Sequence, residues 1–206
     1  MLLFRLVIPA MLFFVTLSAT SVLSAQQQLP SGRLGAAPAA TAETPEGVAA
    51  RYMTALKAGD YAACARVMHP EALIELRRLF APIIAKDKAG RVSQQLFGAT
   101  PAQFATLGDA MLLERLLRNS MTAGGQGQQA AAAAAVLKSA QITPLGHVKE
   151  GADMAHVLMR AQFVIQGLPV TRMDVMSMQR TGTVWRATLP ADVRNLAGAL
   201  ARQAGP

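Results

Sequence analysis

Three histidines are the residues of this 206-residue sequence best suited to acid–base or metal chemistry: His69, His147 and His156. Because His69 precedes Pro70, we expect its side chain to close a turn at a helix boundary by bonding to the backbone. A two-residue hairpin turn at Gly151-Ala152 would place His147 directly opposite His156, with Cβ atoms about 5 Å apart. Two imidazoles make an incomplete site, since zinc is normally held by three or four ligands. We therefore expect an outward-facing histidine pair and no bound metal.

Arg160 and Asp174 are the second set of polar candidates. Predicted strands place them on the same outer face, where an ion pair worth under about 1 kcal/mol is the simpler interpretation and joint ligand binding is the alternative. Asp153 and Asp174 are the only acids in the predicted strands, so no pair of carboxylates is available there. The sequence also lacks a phosphate-binding glycine loop, a serine nucleophile elbow and a zinc-protease motif. We therefore assign no catalytic residue and no cofactor.

Four apolar residues could line a ligand cavity between the first helix and the sheet: Tyr52, Met159, Phe163 and Met173. Methionine fills irregular gaps and adapts to different apolar guests, so this group could hold an apolar small molecule. An ordinary filled core is the alternative. Cys64 is the only cysteine, and its small-residue surroundings predict a buried thiol that packs as a small hydrophobic group.

Residues 1–25 have the pattern of a cleavable secretory signal peptide. A start carrying Arg5 is followed by a mostly apolar run at 6–17 and by small residues ending at Ala25. The run is shorter than the roughly 20 apolar residues that span a membrane, which favours cleavage over anchoring. We therefore predict a periplasmic or extracellular protein without a transmembrane segment after cleavage. Residues 26–43, rich in Ala, Pro and Gln, are predicted to be a disordered linker.

The formal net charge of +8, which becomes +7 once Arg5 is removed with the signal peptide, indicates which partners the exported chain could meet. A positive field favours anionic envelope surfaces such as phospholipid headgroups. The basic residues are scattered and aromatic residues are sparse, so nucleic-acid binding is not expected. Apolar residues make up 52% of the chain, which is enough to build one packed domain over residues 44–204.

Helical periodicity covers residues 44–138 and alternating patterning covers 142–189. Residues 123–138, rich in Gly, Gln and Ala, are expected to form a hinge and a short helix. A three-residue connection at 167–169 would place Phe163 opposite Met173 on the covered face of the sheet. The first predicted helix begins at Thr44-Pro45 and ends at Gly59, and further helices are predicted at 61–68, 71–85, 102–121 and 191–202. The predicted strands are 142–149, 153–166, 170–180 and 184–189.

The order of these elements predicts an α+β fold, with N-terminal helices packed on a curved, cone-like antiparallel sheet and a C-terminal helix. It resembles the nuclear transport factor 2-like superfamily, which includes the ketosteroid isomerases. The resemblance covers about 44–200 and rests on the motifs Thr44-Pro45-Glu46, Gly59-Asp60-Tyr61, His69-Pro70-Glu71, Gly146-His147-Val148 and Gly182-Thr183-Val184-Trp185-Arg186.

The resemblance implies a late tryptophan, here Trp185, that packs the last strand against the core. Catalytic members carry acid–base residues inside the cone, and no position of this sequence matches them. Our main hypothesis is an exported, non-catalytic domain that binds an apolar small molecule or an envelope partner in its cone cavity. One alternative is a lyase or isomerase of the ketosteroid-isomerase type, with His69 or Asp174 pointing inward. The other is a purely structural envelope protein, for which a homodimer is an option.

Overall fold

A computed structural model describes residues 43–122, 135–165 and 167–203. The predicted signal peptide at 1–25 lies outside these residues, as do nearly all of the predicted linker and most of the 123–138 segment. Within the described chain, helices come first, a four-stranded antiparallel sheet follows, and a helix ends the fold. The predicted α+β class is therefore confirmed.

The helices begin where the capping residues of the sequence predict. The Thr44 side chain accepts a hydrogen bond from the Gly47 backbone at the start of the first helix, and Gly59 ends that helix in the left-handed conformation, with φ at 73°. The helices are α1 (Pro45–Ala58), α2 (Tyr61–Val67), α3 (Pro70–Lys86), α4 (Arg91–Phe97), α5 (Pro101–Thr106), α6 (Asp109–Thr122) and α7 (Ala191–Gln203), with 135–139 also helical.

Two features of the helical half differ from the prediction. The single helix expected at 102–121 is divided into α5 and α6, because the chain leaves the helical conformation at Leu107. Helix α4 was not predicted. The Asp87 carboxylate stabilises its first turn by accepting hydrogen bonds from the backbone N–H groups of Arg91, Val92 and Ser93. Such a cap lies four residues before the helix, where a simple capping pattern does not look for it.

The sheet is a simple meander in which each strand pairs with the next along the chain. The order β1-β2-β3-β4 agrees with the predicted consecutive hairpins. Helix α1 contacts three of the four strands, β1, β2 and β4. The strands are β1 (Gln141–Glu150), β2 (Met154–Ile165), β3 (Leu168–Thr181) and β4 (Val184–Ala187).

The predicted register of the first hairpin was wrong. Its loop has three residues, 151–153, so His147 lies opposite Val157 and His156 lies opposite Val148. A bulge also leaves Leu145 without a partner in β1, between Pro144 and Gly146. Because side chains alternate between the two faces of a sheet, this one extra residue moves every β1 side chain after it to the opposite face.

The register of the second hairpin was also wrong. The loop has two residues instead of three, with Ile165 opposite Leu168, and Phe163 therefore lies opposite Val170 and not Met173. The buried residue Met178 decides this register, because it shares the covered face with Val157 and Met159. Burial of Met178 therefore places Met173 and its odd-numbered neighbours on the other face of the sheet.

The sheet thus has two faces of different character. The inner face is covered near the first hairpin, where Ala155, Val157, Met159 and Met178 join the core. The outer face carries the half-buried side chain of His156 and the exposed side chains of Leu158, Arg160, Met173 and Val175. The β2–β3 hairpin becomes more exposed toward its loop, so both of its faces are partly open there.

Candidate functional site

His147 links the sheet to α1 instead of pairing with His156. Its Nδ1 lies 2.5 Å from Oε1 of Glu46 in the first turn of α1. Partial burial opposes ionisation of Glu46, but hydrogen bonds from His147, the backbone and Thr44 outweigh that effect and lower the pKa of the Glu46 carboxyl. The contact therefore joins a helix N-terminus to the inner face of the sheet, which is a structural role.

His69 closes a turn, as the sequence predicts. It is the N-cap of α3, where its Nδ1 accepts a hydrogen bond from the Glu71 backbone at 3.2 Å. Its Nε2 lies 2.8 Å from the Thr181 hydroxyl, and the residue is buried. Both ring nitrogens are engaged within the protein, so this imidazole is oriented by the fold and does not point at open space.

His156 lies on the outer face of the sheet, as predicted, but without His147 beside it. Its ring nitrogens contact the Ser177 hydroxyl at 2.9 Å and the Glu150 carboxylate at 2.7 Å. Over the described residues, no group of three or more histidine, cysteine or acidic side chains is arranged to hold a metal ion.

The four residues predicted to line a cavity are not brought together. Tyr52 and Met159 are buried in the continuous core, where burial raises the pKa of the Tyr52 phenol. Phe163 is half-buried, and Met173 is 47% exposed on the other face of the sheet. Packed side chains thus occupy the place proposed for an apolar ligand at the Tyr52 end.

Cys64 is buried, as predicted, and it lies beside Tyr52. Its thiol lies 3.8 Å from the Tyr52 carbonyl oxygen, to which it donates. Burial, together with the charge of Asp60, raises the pKa of Cys64 to about 11. The thiolate, which is the reactive form of cysteine, is therefore disfavoured near neutral pH.

The expected grouping of Arg160 with Asp174 was wrong. In the observed register Arg160 lies opposite Met173, while Asp174 lies opposite Met159, so the two charged residues are on different faces. Asp174 instead lies 3.8 Å from Arg172, two residues away on the same strand. No carboxylate in the described part of the chain pairs with Arg160.

Sequence reasoning missed an open polar cleft of about 330 Å³ between α3, the outer sheet face and α7. Within the cleft the Arg194 guanidinium donates two hydrogen bonds to the Glu75 carboxylate, at 2.8 and 3.0 Å. These bonds lower the pKa of Glu75, although burial opposes the change, and they raise the pKa of Arg194. The lining also includes Glu71, Arg78, Met154, Ser177, Gln179 and Thr188.

The cleft is poorly suited to general acid catalysis. A catalytic acid needs a pKa near the working pH, whereas Glu75 is held ionised by Arg194. No local pattern could have revealed the cleft, because Glu75 and Arg194 are 119 positions apart in the sequence. We interpret the ion pair as a clamp between α3 and α7.

We expect replacement of Arg194 by methionine to lower the free energy of unfolding by up to about 1 kcal/mol at pH 7. The pKa of Glu75 is lowered from 4.5 in the folded state, so this contribution exists above pH 4.5 and disappears as the pH falls through the lower value. Urea unfolding of the wild type, the R194M and E75Q variants, and the double variant would give the coupling energy. A coupling energy that persists in strong acid would contradict this assignment.

The outer face of the sheet carries an exposed apolar patch, which we call the outer patch: Val148, Leu158, Val164, Met173 and Val175. Leu158 and Val175 are directly opposite each other at 40% and 58% exposure. Arg160, opposite Met173, lies within the patch. Leu158, Met173 and Val175 are neighbours in the register, and clusters of exposed apolar side chains commonly mark an interaction surface.

The comparisons with known proteins identify no relative: no family model, curated protein or solved structure matches this chain. The resemblance to the nuclear transport factor 2-like superfamily therefore stays a prediction from sequence motifs. In the parts of the chain that the structure describes, every helix is too short or too polar to cross a bilayer.

Proposed function

We propose that this chain is an exported, non-catalytic binding domain that associates with an anionic phospholipid surface of the cell envelope through the outer patch. The single observation that carries the proposal is the combination of exposed Leu158 and Val175 with exposed Arg160 on the same face of the sheet. Export itself rests on the signal-peptide pattern of residues 1–25. We also propose that the sheet has the cone-like curvature that the superfamily resemblance implies.

Charge supports a lipid surface as the partner. The net charge of +8 falls to +7 when Arg5 leaves with the signal peptide. It attracts anionic headgroups over the whole molecule, and Arg160 supplies a cation inside the apolar patch. Apolar side chains that enter the membrane interface contribute binding free energy in proportion to the apolar area that they remove from water. A patch on one face of a sheet can bring all of these side chains to a planar surface together.

The packed core supports surface binding over binding in an internal cavity. Tyr52 and Met159 contact their neighbours in the core, so an internal apolar guest would have to displace them. The cleft at Glu75 is lined mostly by polar side chains, and the Glu75 carboxylate in it is held ionised by Arg194. The envelope-partner hypothesis therefore has more support than the small-molecule hypothesis.

Co-sedimentation with lipid vesicles tests this function. We expect the protein to bind phosphatidylglycerol-containing vesicles, less strongly at high salt, and to bind pure phosphatidylcholine vesicles weakly. Replacing Leu158 by aspartate should weaken binding about tenfold, because it removes apolar contact and adds a charge that the headgroups repel.

The matched control is Ile74→Asp, which makes the same kind of change at a residue of α3 that is 48% exposed and does not belong to the outer patch. This variant should bind vesicles as the wild type does. Equal losses for L158D and I74D, or equal binding to anionic and neutral vesicles, would overturn the proposal. Circular dichroism checks that both variants are folded.

A further inference from the structure

Strand β3 has a long free edge. β3 runs from Leu168 to Thr181, but β4 pairs only with its last four residues, Met178–Thr181. Over 168–176, no other strand of the described chain lies on the side away from β2. An unpaired edge exposes backbone N–H and C=O groups that another strand can bind.

The backbone groups at this edge can be assigned. The Ser177 carbonyl accepts a hydrogen bond from the Thr188 backbone at 2.9 Å, on the β4 side of β3. Backbone groups alternate in direction along a strand, so the odd-numbered residues Thr171, Met173 and Val175 direct their N–H and C=O toward the free edge. The even-numbered residues direct theirs toward β2.

We propose that this edge binds the same edge of a second copy of the chain, antiparallel, about a two-fold axis at Met173. The two copies of Met173 then lie opposite each other, and Thr171 of each copy lies opposite Val175 of the other. The outward backbone groups of these residues become paired, and the Val175 N–H exchanges its 2.8 Å hydrogen bond to the Asp174 carboxylate for one to the second copy. The two meanders join into one continuous eight-stranded sheet, and the interface is isologous, as in most homodimers.

The charges along the edge select this register over its neighbours. With the axis at Met173, Arg172 of each copy lies opposite Asp174 of the other, which gives two cross-strand ion pairs in place of the 3.8 Å contact within one strand. The nearest registers that still align the outward groups place the axis at Arg172 or Asp174. They bring two like charges directly opposite each other, which is destabilising.

The ends of the free edge are symmetric about Met173 as well. Pro169 has no N–H to donate, and the Ser177 carbonyl is already occupied by Thr188. These two residues lie four positions on either side of Met173, so the paired segment is 170–176 in both copies. Thr188 and Ala187 already lie opposite Ser177 and Met178, so Leu168 and Pro169 of the second copy must turn away from the edge at the tip of their hairpin. Val170 then lies opposite Met176, which adds an apolar contact on the inner face.

Sedimentation equilibrium of the purified protein without lipid tests the interface. We expect the wild type to form dimers. Arg172→Asp and Asp174→Arg should each raise the dissociation constant at least about tenfold, because each places like charges opposite each other. The double variant R172D/D174R should dimerise again, since exchanging the two charges restores both pairs.

Mixing the two single variants provides a control for misfolding. In the mixture, every acidic edge can face a basic edge, so a heterodimer should form although each variant alone is monomeric. Met173→Pro should abolish dimerisation while the monomer stays folded, because the lost N–H faces solvent in the monomer. A wild type that stays monomeric at its highest soluble concentration, or single variants that associate as it does, would overturn the proposal. Vesicle binding plays no part in this outcome.

Discussion

Replacing Phe97 by alanine should lower the free energy of unfolding by about 3–5 kcal/mol. Phe97 is fully buried, and its ring makes edge-to-face contacts with Phe80 and Phe104, at centroid distances of 5.4 and 5.0 Å. The change removes this apolar area from the centre of the helical half and leaves a cavity that surrounding helices fill only in part. Urea unfolding followed by circular dichroism measures the loss.

Two controls define the result for Phe97. Phe97→Leu keeps most of the volume and should lose clearly less stability than the alanine variant. Ile74→Ala shortens an apolar side chain that is 48% exposed, and should cost under about 1 kcal/mol. If Phe97→Ala destabilised the protein no more than Ile74→Ala, the three-ring cluster would not be a major part of the core.

Replacing Arg77 by methionine should lower the free energy of unfolding by about 2–3 kcal/mol. The Arg77 guanidinium donates to the Phe104 and Leu107 carbonyls and to the Asp109 carboxylate, and it stacks near the Phe104 ring at 5.8 Å. These contacts stabilise the end of α5 and the start of α6, so one side chain holds the break between two helices. Methionine keeps the apolar stem but leaves all three oxygens without this donor.

Arg78→Met is the matched control for Arg77. Arg78 is the next residue of α3 and is exposed at the edge of the polar cleft. It should change stability by less than about 0.5 kcal/mol. Thermal and urea unfolding of both variants would separate the contacts of Arg77 from the loss of one positive charge. Equal effects of the two substitutions would contradict the role assigned to Arg77.

Local chemistry accounts for the elements that the sequence predicted well. Thr44, Asp60 and Thr100 each cap a helix through hydrogen bonds that span only three residues. His69 lies at a helix start and bonds to the backbone two residues later. Such contacts depend on neighbouring residues alone, so the sequence is sufficient to anticipate them.

Loop lengths and a bulge account for what the sequence did not predict. One residue more in the first hairpin loop, one fewer in the second, and the bulge at Leu145 changed which residues face each other. Those changes separated His147 from His156 and moved Met173 away from Phe163. Each alternative keeps a plausible turn, so only the burial of residues such as Met178 distinguishes between them.

By itself, the sequence determined the α+β class, the order of helices before strands and the positions of most helix starts, because periodicity and capping are properties of nearby residues. Only the tertiary structure decided which side chains meet, as in the Glu75–Arg194 clamp, the His147–Glu46 contact and the free edge centred on Met173. The physical reason is that packing chooses a single register from several that the local sequence allows nearly equally.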